Sequence, residues 1–213
     1  MRSLNLSKLA VAILMTAVAS PAKAMDFAVS LESGLVGTNG DNWSMLGGGG
    51  IDTLGLSGSI GIDDHIQAIA GFSIGGKGAK NYLTDPNVPG DAEGFVASLM
   101  VAQLNAGLRY DLLPESSWIP FASARGEVLL GNMRLDDDLQ HKDNINQIEQ
   151  SALSAGGSLG LGVAWEGAVS RINSTFRVEI EGGFGLATDL SLGELGNLGI
   201  GGGRMRGSVG VLF

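Results

Sequence analysis

From residue 26 to the C-terminus, apolar and polar positions alternate with a period of two, and few windows show the 3.6-residue period of an amphipathic helix. Segments of this kind, bounded by turn residues, predict eight strands at about 26–37, 53–62, 65–77, 94–111, 118–134, 151–165, 175–187 and 203–213. The last runs off the end of the chain. Met205, Val209, Val211 and Phe213 fall on one of its faces, and Arg204, Arg206 and Ser208 on the other. Most of the eight segments are longer than the roughly 5 or 6 residues usual in soluble sheets and reach the roughly 9 to 11 that a tilted membrane-crossing strand needs.

The connections alternate in length. Asp63-Asp64, the segment 112–117 containing Pro114, and 166–174 are short, whereas 38–52, 78–93, 135–150 and 188–202 are long. Short turns at one end, long loops at the other and an even strand count predict an all-β fold, an eight-stranded antiparallel up-and-down transmembrane β-barrel with both termini at the short-turn end.

The two faces of each segment differ in chemistry. In the seventh, Phe176, Val178, Ile180, Phe184 and Leu186 oppose Arg177, Glu179 and Glu181; in the sixth, Leu153, Leu159, Leu161, Val163 and Trp165 oppose serines and glycines; the fifth is less clean. With the apolar parity outward, Glu32, Arg109, Arg125, Glu127, Arg177, Glu179, Glu181, Arg204 and Arg206 face the interior. An eight-stranded barrel is just wide enough to be filled by its own side chains, so these charges predict an interlocking ion-pair network in a plugged lumen. Five of the seven arginines beyond residue 24 belong to this set. Phe27, Tyr110, Trp118, Trp165, Phe176 and Phe213, half of the twelve aromatic residues, gather on the outward parity at the short-turn end, the expected place of an interfacial aromatic girdle.

The N-terminus sets the compartment. Arg2 and Lys8, an apolar run from Leu9 to Ala19, and Ala22-Lys23-Ala24 form a secretory signal peptide over residues 1–24, leaving 25–213 as the barrel domain. Removing Arg2, Lys8 and Lys23 with no acid takes the formal net charge from −9 to −12, which excludes an ordinary nucleic-acid binder. The chain has no cysteine, so disulfides, thiolate metal sites and thiol catalysis are excluded. Its 35 glycines sit mostly singly among apolar residues, as expected of strands rather than of low-complexity sequence.

Candidate chemistry is sparse. His65 adjoins a short turn and reads as a solvated histidine; His141, in a long acidic loop, is the one candidate general base. Asp136-Asp137-Asp138, with Asp143 and Glu149, is a conceivable cation site, but it lacks the spaced acids and glycine of a calcium loop. Gly47 to Gly50 lacks the Lys-Ser/Thr of a phosphate loop, and the glycosylation patterns at Asn42 and Asn173 read as chance. No catalytic residue, cofactor or metal is assigned.

The run Gly107-Leu-Arg-Tyr-Asp-Leu-Leu-Pro114, followed by Ser117-Trp-Ile-Pro-Phe-Ala-Ser-Ala-Arg-Gly-Glu127, resembles the middle hairpin of small Gram-negative outer-membrane barrels of the OmpA/OmpX type and their opacity-protein relatives. The terminal Phe213 is similar to the C-terminal aromatic that these proteins present to the barrel assembly machinery. The resemblance implies a cell outer-membrane location, contact with outer-membrane lipid and lipopolysaccharide, variable surface loops and no catalytic residues. The expected role is a structural or surface-interaction barrel with an unidentified external ligand. The alternatives are a small-solute channel and a lipid A-modifying enzyme. A soluble calycin-like barrel, with its apolar face turned inward around a ligand, is the rival architecture; the aromatic cluster and Phe213 argue against it.

Overall fold

The computed structural model describes residues 27–39, 46, 49–84, 92–137, 148–169, 174–193 and 196–213. The expected signal peptide, His141, Asp138, Asp143, Asn42, Asn173, Gly47 and Gly48 lie outside them.

Nine strands form in chain order: β1 (Phe27–Asn39), β2 (Ile51–Gly61), β3 (Ile66–Thr84), β4 (Ala92–Asp111), β5 (Trp118–Asp137), β6 (Ile148–Val169), β7 (Ser174–Ala187), β8 (Leu190–Ser191) and β9 (Asn197–Leu212). Apart from the two-residue β8, each pairs antiparallel with its sequence neighbours, and β1 pairs with β9 to close an eight-stranded up-and-down barrel. At the seam Phe27 and Phe213 exchange backbone hydrogen bonds in both directions, at 3.3 and 2.9 Å.

The register fixes how the barrel closes. From Phe27 it runs through Ile60, Ala68, Leu108, Ala124, Leu159 and Phe184 to Gly203. The backbone of Gly203 lies against Gly37, farther along β1 than the starting point. This stagger is what tilted strands require, and it makes every register row climb around the barrel. Near Gly37 the β1–β9 ladder shifts between Val36 and Thr38, opposite Gly202, whose φ of 100° suits only glycine.

The outer wall is apolar. On β6, Leu153, Leu159 and Leu161 are 64–69% exposed, while Ser154, Ser158 and Ala164 on the same strand are buried. This inverts the usual order for a protein in water, and lipid is the solvent that makes it favourable. From Trp165 to Leu153 the outward positions of β6 climb roughly 30 Å, taking about 3.3 Å per residue and a tilt of about 40°. That height matches the roughly 30 Å hydrocarbon core of a bilayer. Just beyond it, exposed Ser151 and Glu149 mark a return to polar chemistry.

The sequence reading made the strands too short and the loops too long. β3 and β4 run on to Thr84 and from Ala92, β5 and β6 to Asp137 and from Ile148, so these hairpins rise past the apolar belt. The segment 188–202 is not simply a surface loop. It turns at Gly193 and Gly196, pairs Leu190 with Leu198 and folds into the loop-end mouth. There Leu190, Leu192, Leu198 and Ile200 pack with Leu46, Ile51, Leu99, Leu129 and Met133 into a buried apolar cluster. Where the barrel wall leaves lipid for water, an apolar interior again becomes the favourable one, as in any soluble core.

Leu190 seats over Gly131, where an added Cβ would come within 2.8 Å of Leu190 Cδ1. Gly131→Val is therefore expected to unseat the β8 hairpin at a cost of roughly 1–3 kcal/mol. Limited proteolysis should then cut within 188–200 while leaving the barrel intact; resistance equal to the parent would refute that packing.

Candidate functional site

Below the apolar cluster, between its level and the short-turn end, the lumen is polar. Alternation carries Glu32 inward from β1, Arg109 from β4, Arg125 and Glu127 from β5, Arg177, Glu179 and Glu181 from β7, and Arg204 and Arg206 from β9. All nine take part in ion pairs across the barrel.

At the short-turn mouth, Arg177 Nε donates to Glu166 Oε1 at 2.7 Å and its Nη1 to Gln67 Oε1 at 3.1 Å. Gln67 Nε2 then donates to Asp111 Oδ2 at 2.7 Å, and Arg109 Nε to Asp111 Oδ1 at 2.6 Å. Arg109 also pairs with Glu179, and its guanidinium lies 4.0 Å above the Phe121 ring centroid. Ser208 Oγ completes this level, donating to Glu179 at 3.1 Å.

One level higher, Arg125 Nη2 and Ser123 Oγ both donate to Glu181, at 2.7 and 2.9 Å. Arg206 spans three carboxylates: Nε lies 3.3 Å from Glu32, Nη1 3.6 Å from Glu181, and Nη2 donates to Glu127 at 2.8 Å. Glu127 also pairs with Arg204 and accepts from Ser158 Oγ at 2.6 Å. Planar guanidinium forks suit this multiple bonding better than ammonium groups would. Small residues make the room: a Cβ on Gly160 would collide with the Glu181 carboxylate, and one on Gly185 with the Arg204 guanidinium. The space left among Ser30, Glu32, Ser57, Arg109 and Arg206 is about 30 Å³, enough for a water or two.

Three members were missing from the sequence reading. Asp111 shares the inward parity with Arg109 two residues earlier, a signal that could have found it, and Gln67 has the inward parity of β3. Glu166 was placed in a turn because β6 continues past Trp165 to Val169.

The six aromatic residues lie where the strands meet the short turns, on the outward parity. Trp118 is directly opposite Trp165 in the register, Tyr110 is opposite Ile66, and Phe27 is joined to Phe213. Trp118, Tyr110, Trp165 and Phe213 are exposed, whereas Phe27 and Phe176 are half-buried. His65 stacks on Tyr110 with ring centroids 5.5 Å apart, and its Nδ1 lies 2.8 Å from the Asp111 carbonyl oxygen. Asp136 and Asp137 fall within β5, and Glu149 accepts a hydrogen bond from Asn132 at 2.8 Å. Among the described residues no three acids or histidines cluster closely enough to hold a metal ion.

No family model matches the chain, and no curated protein matches it. Its structure is similar to that of Ail, the attachment invasion locus protein of Yersinia pestis, at 9% identity over 89% of this chain and 99% of that one, with a TM-score of 0.48. It is also similar to Neisserial surface protein A, at 16% identity over 87% and 95% of the two chains and a TM-score of 0.43. A third likeness is to the outer membrane protein OprG from Pseudomonas aeruginosa, at 11% identity over 90% and 97% and a TM-score of 0.41. Identities this low bear on fold alone, and the fold stands on this chain's own topology. With eight barrel strands, closed antiparallel pairing, an apolar outer belt and a charged lumen, the chain is a transmembrane β-barrel of the small outer-membrane type.

Proposed function

We propose that this chain is an integral protein of a Gram-negative outer membrane, closed to solutes, with a structural or surface-interaction role carried by its acidic loop end. The observation that supports this best is the filled lumen: ten close Arg–carboxylate contacts occupy its lower levels, and the β8 hairpin packs an apolar cluster into the mouth above them. The belt faces lipid, with lipopolysaccharide around its loop end, and the aromatic residues act as the girdle at the opposite interface. The strand that ends at Phe213 is the one read by the barrel assembly machinery. Hairpins that carry β3–β4 and β5–β6 past the belt present acids such as Asp136, Asp137 and Glu149 to the medium, where they would meet a basic or cation-bridged partner.

Planar-bilayer recording separates this from the channel reading. The refolded chain is expected to insert without a stable conductance step, and a reproducible open level in most insertions would overturn the closed lumen. A lipid-modifying activity would centre on His141, and an unchanged lipid A profile after His141→Ala removes it.

A further inference from the structure

One outward side chain breaks the chemistry of the belt. Asp52 points away from the lumen near the start of β2, in a register row formed by Leu35, Asp52, Gly76 and Met100. Such rows climb around a tilted barrel, so the exposed, apolar Met100 stands nearer the loop end than the carboxylate does. Asp52 is thus level with the upper part of the apolar belt. Its carboxylate has no hydrogen bond or ion pair with any described residue. A carboxylate left unpaired at the edge of hydrocarbon is costly, and a bound cation removes that cost.

The surroundings are shaped as well as charged. Ser33, Asp52, Leu54, Ile74, Gly76 and Met100 line a groove of about 500 Å³ on the outside of the barrel. Leu54, Ile74 and Met100 are all exposed, and Gly76 leaves the space between them open. Ser33 adds an exposed hydroxyl on the same face. The groove thus pairs an apolar trough with one anionic group at headgroup depth.

We propose that this groove binds a single lipid with an amine-bearing headgroup, its ammonium on Asp52 and an acyl chain along Leu54, Ile74 and Met100. Charge complementarity selects the amine: a phosphate-terminated or glycerol headgroup would set an anion against the carboxylate. The inference rests on the membrane-spanning reading above.

The test reconstitutes the folded chain in vesicles of equal parts ethanolamine and glycerol phospholipid with matched acyl chains. The protein is then extracted in mild detergent, and the lipid it retains is weighed by native mass spectrometry. The parent is expected to retain the ethanolamine lipid about five-fold over the glycerol lipid, the ratio that one favourable ion pair supports. Asp52→Asn, nearly isosteric, should retain the two equally, and Asp52→Lys should reverse the order. A parent that retains lipids in their bulk ratio, or an Asp52→Asn variant that keeps the preference, overturns the proposal. Enrichment of glycerol lipid only when Mg²⁺ is present also overturns it, because the carboxylate would then hold a metal ion. Failure to enter the vesicles at all would sink the membrane reading too, whereas entry without preference sinks this site alone.

Discussion

Glu127→Ala should lower the stability of the barrel by about 3–5 kcal/mol, the cost of leaving buried partners of an ion pair unpaired. Glu127 is the sole carboxylate paired with Arg204 and one of three around Arg206, and it also accepts from Ser158. Both arginines are held in the lumen by their strands and cannot reach water without opening the barrel. The parent network owes little net stability to the charges themselves, because desolvation consumes most of their attraction. Removing one member is therefore worse than removing the group: Glu127, Arg204 and Arg206 replaced together by apolar residues of similar volume should cost less than the single change. Urea midpoints read from the heat-modifiable gel shift measure both. A midpoint for Glu127→Ala equal to the parent's would show that the pairs are not buried as described.

Leu159→Arg should cost roughly 2–4 kcal/mol, because it puts a guanidinium at the middle of the lipid-facing band. Leu159 lies midway along β6 between Trp165 at the aromatic end and Leu153 at the upper edge, and it is 69% exposed. In a water-soluble protein the same substitution at so exposed a site would change stability by less than about 0.5 kcal/mol. Leu153→Arg, close to the polar Ser151 and Glu149, should cost only about 0–1 kcal/mol. The depth dependence along one strand is the informative quantity, and equal penalties at both positions would argue against a bilayer around the belt.

Much of this architecture is legible in the sequence because lipid outside and charge inside write opposite letters on alternate positions. β6 and β7 show it most clearly, since their outward residues are large and apolar. β5 is harder to read: its outward Pro120, Ala122, Ala124 and Gly126 are small, while Ile119 and Phe121 are buried inward. Farther along, Leu99, Leu129 and Met133 have the inward parity although they are apolar. The code changes there because the wall has left the bilayer, and the sequence alone does not mark that level. The fold of 188–200 into the mouth was equally hidden. Leu190 and Leu192 alternate with Ser191 as a strand would, but two paired residues are too short a signal to show that the chain turns back into the lumen.

The charged residues were legible individually, but their pairing was not. Arg109 meets Glu179 and Arg206 meets Glu127 across 70 and 79 residues of sequence, so the pairs follow only from the register. Asp52 shows the reverse case. It lay at the edge of a presumed loop and drew no attention until the register set it among lipid-facing side chains.

The central claim is that the barrel is inside out, and site-directed spin labelling tests it directly, since a chain without cysteine accepts single labels cleanly. Leu153→Cys, Leu159→Cys and Leu161→Cys, labelled and reconstituted in vesicles, should collide readily with oxygen dissolved in the bilayer. They should be shielded from a water-soluble nickel complex, most strongly at 159. Frequent collision with nickel at 159, matching that of a label at the exposed Glu149, would contradict the account.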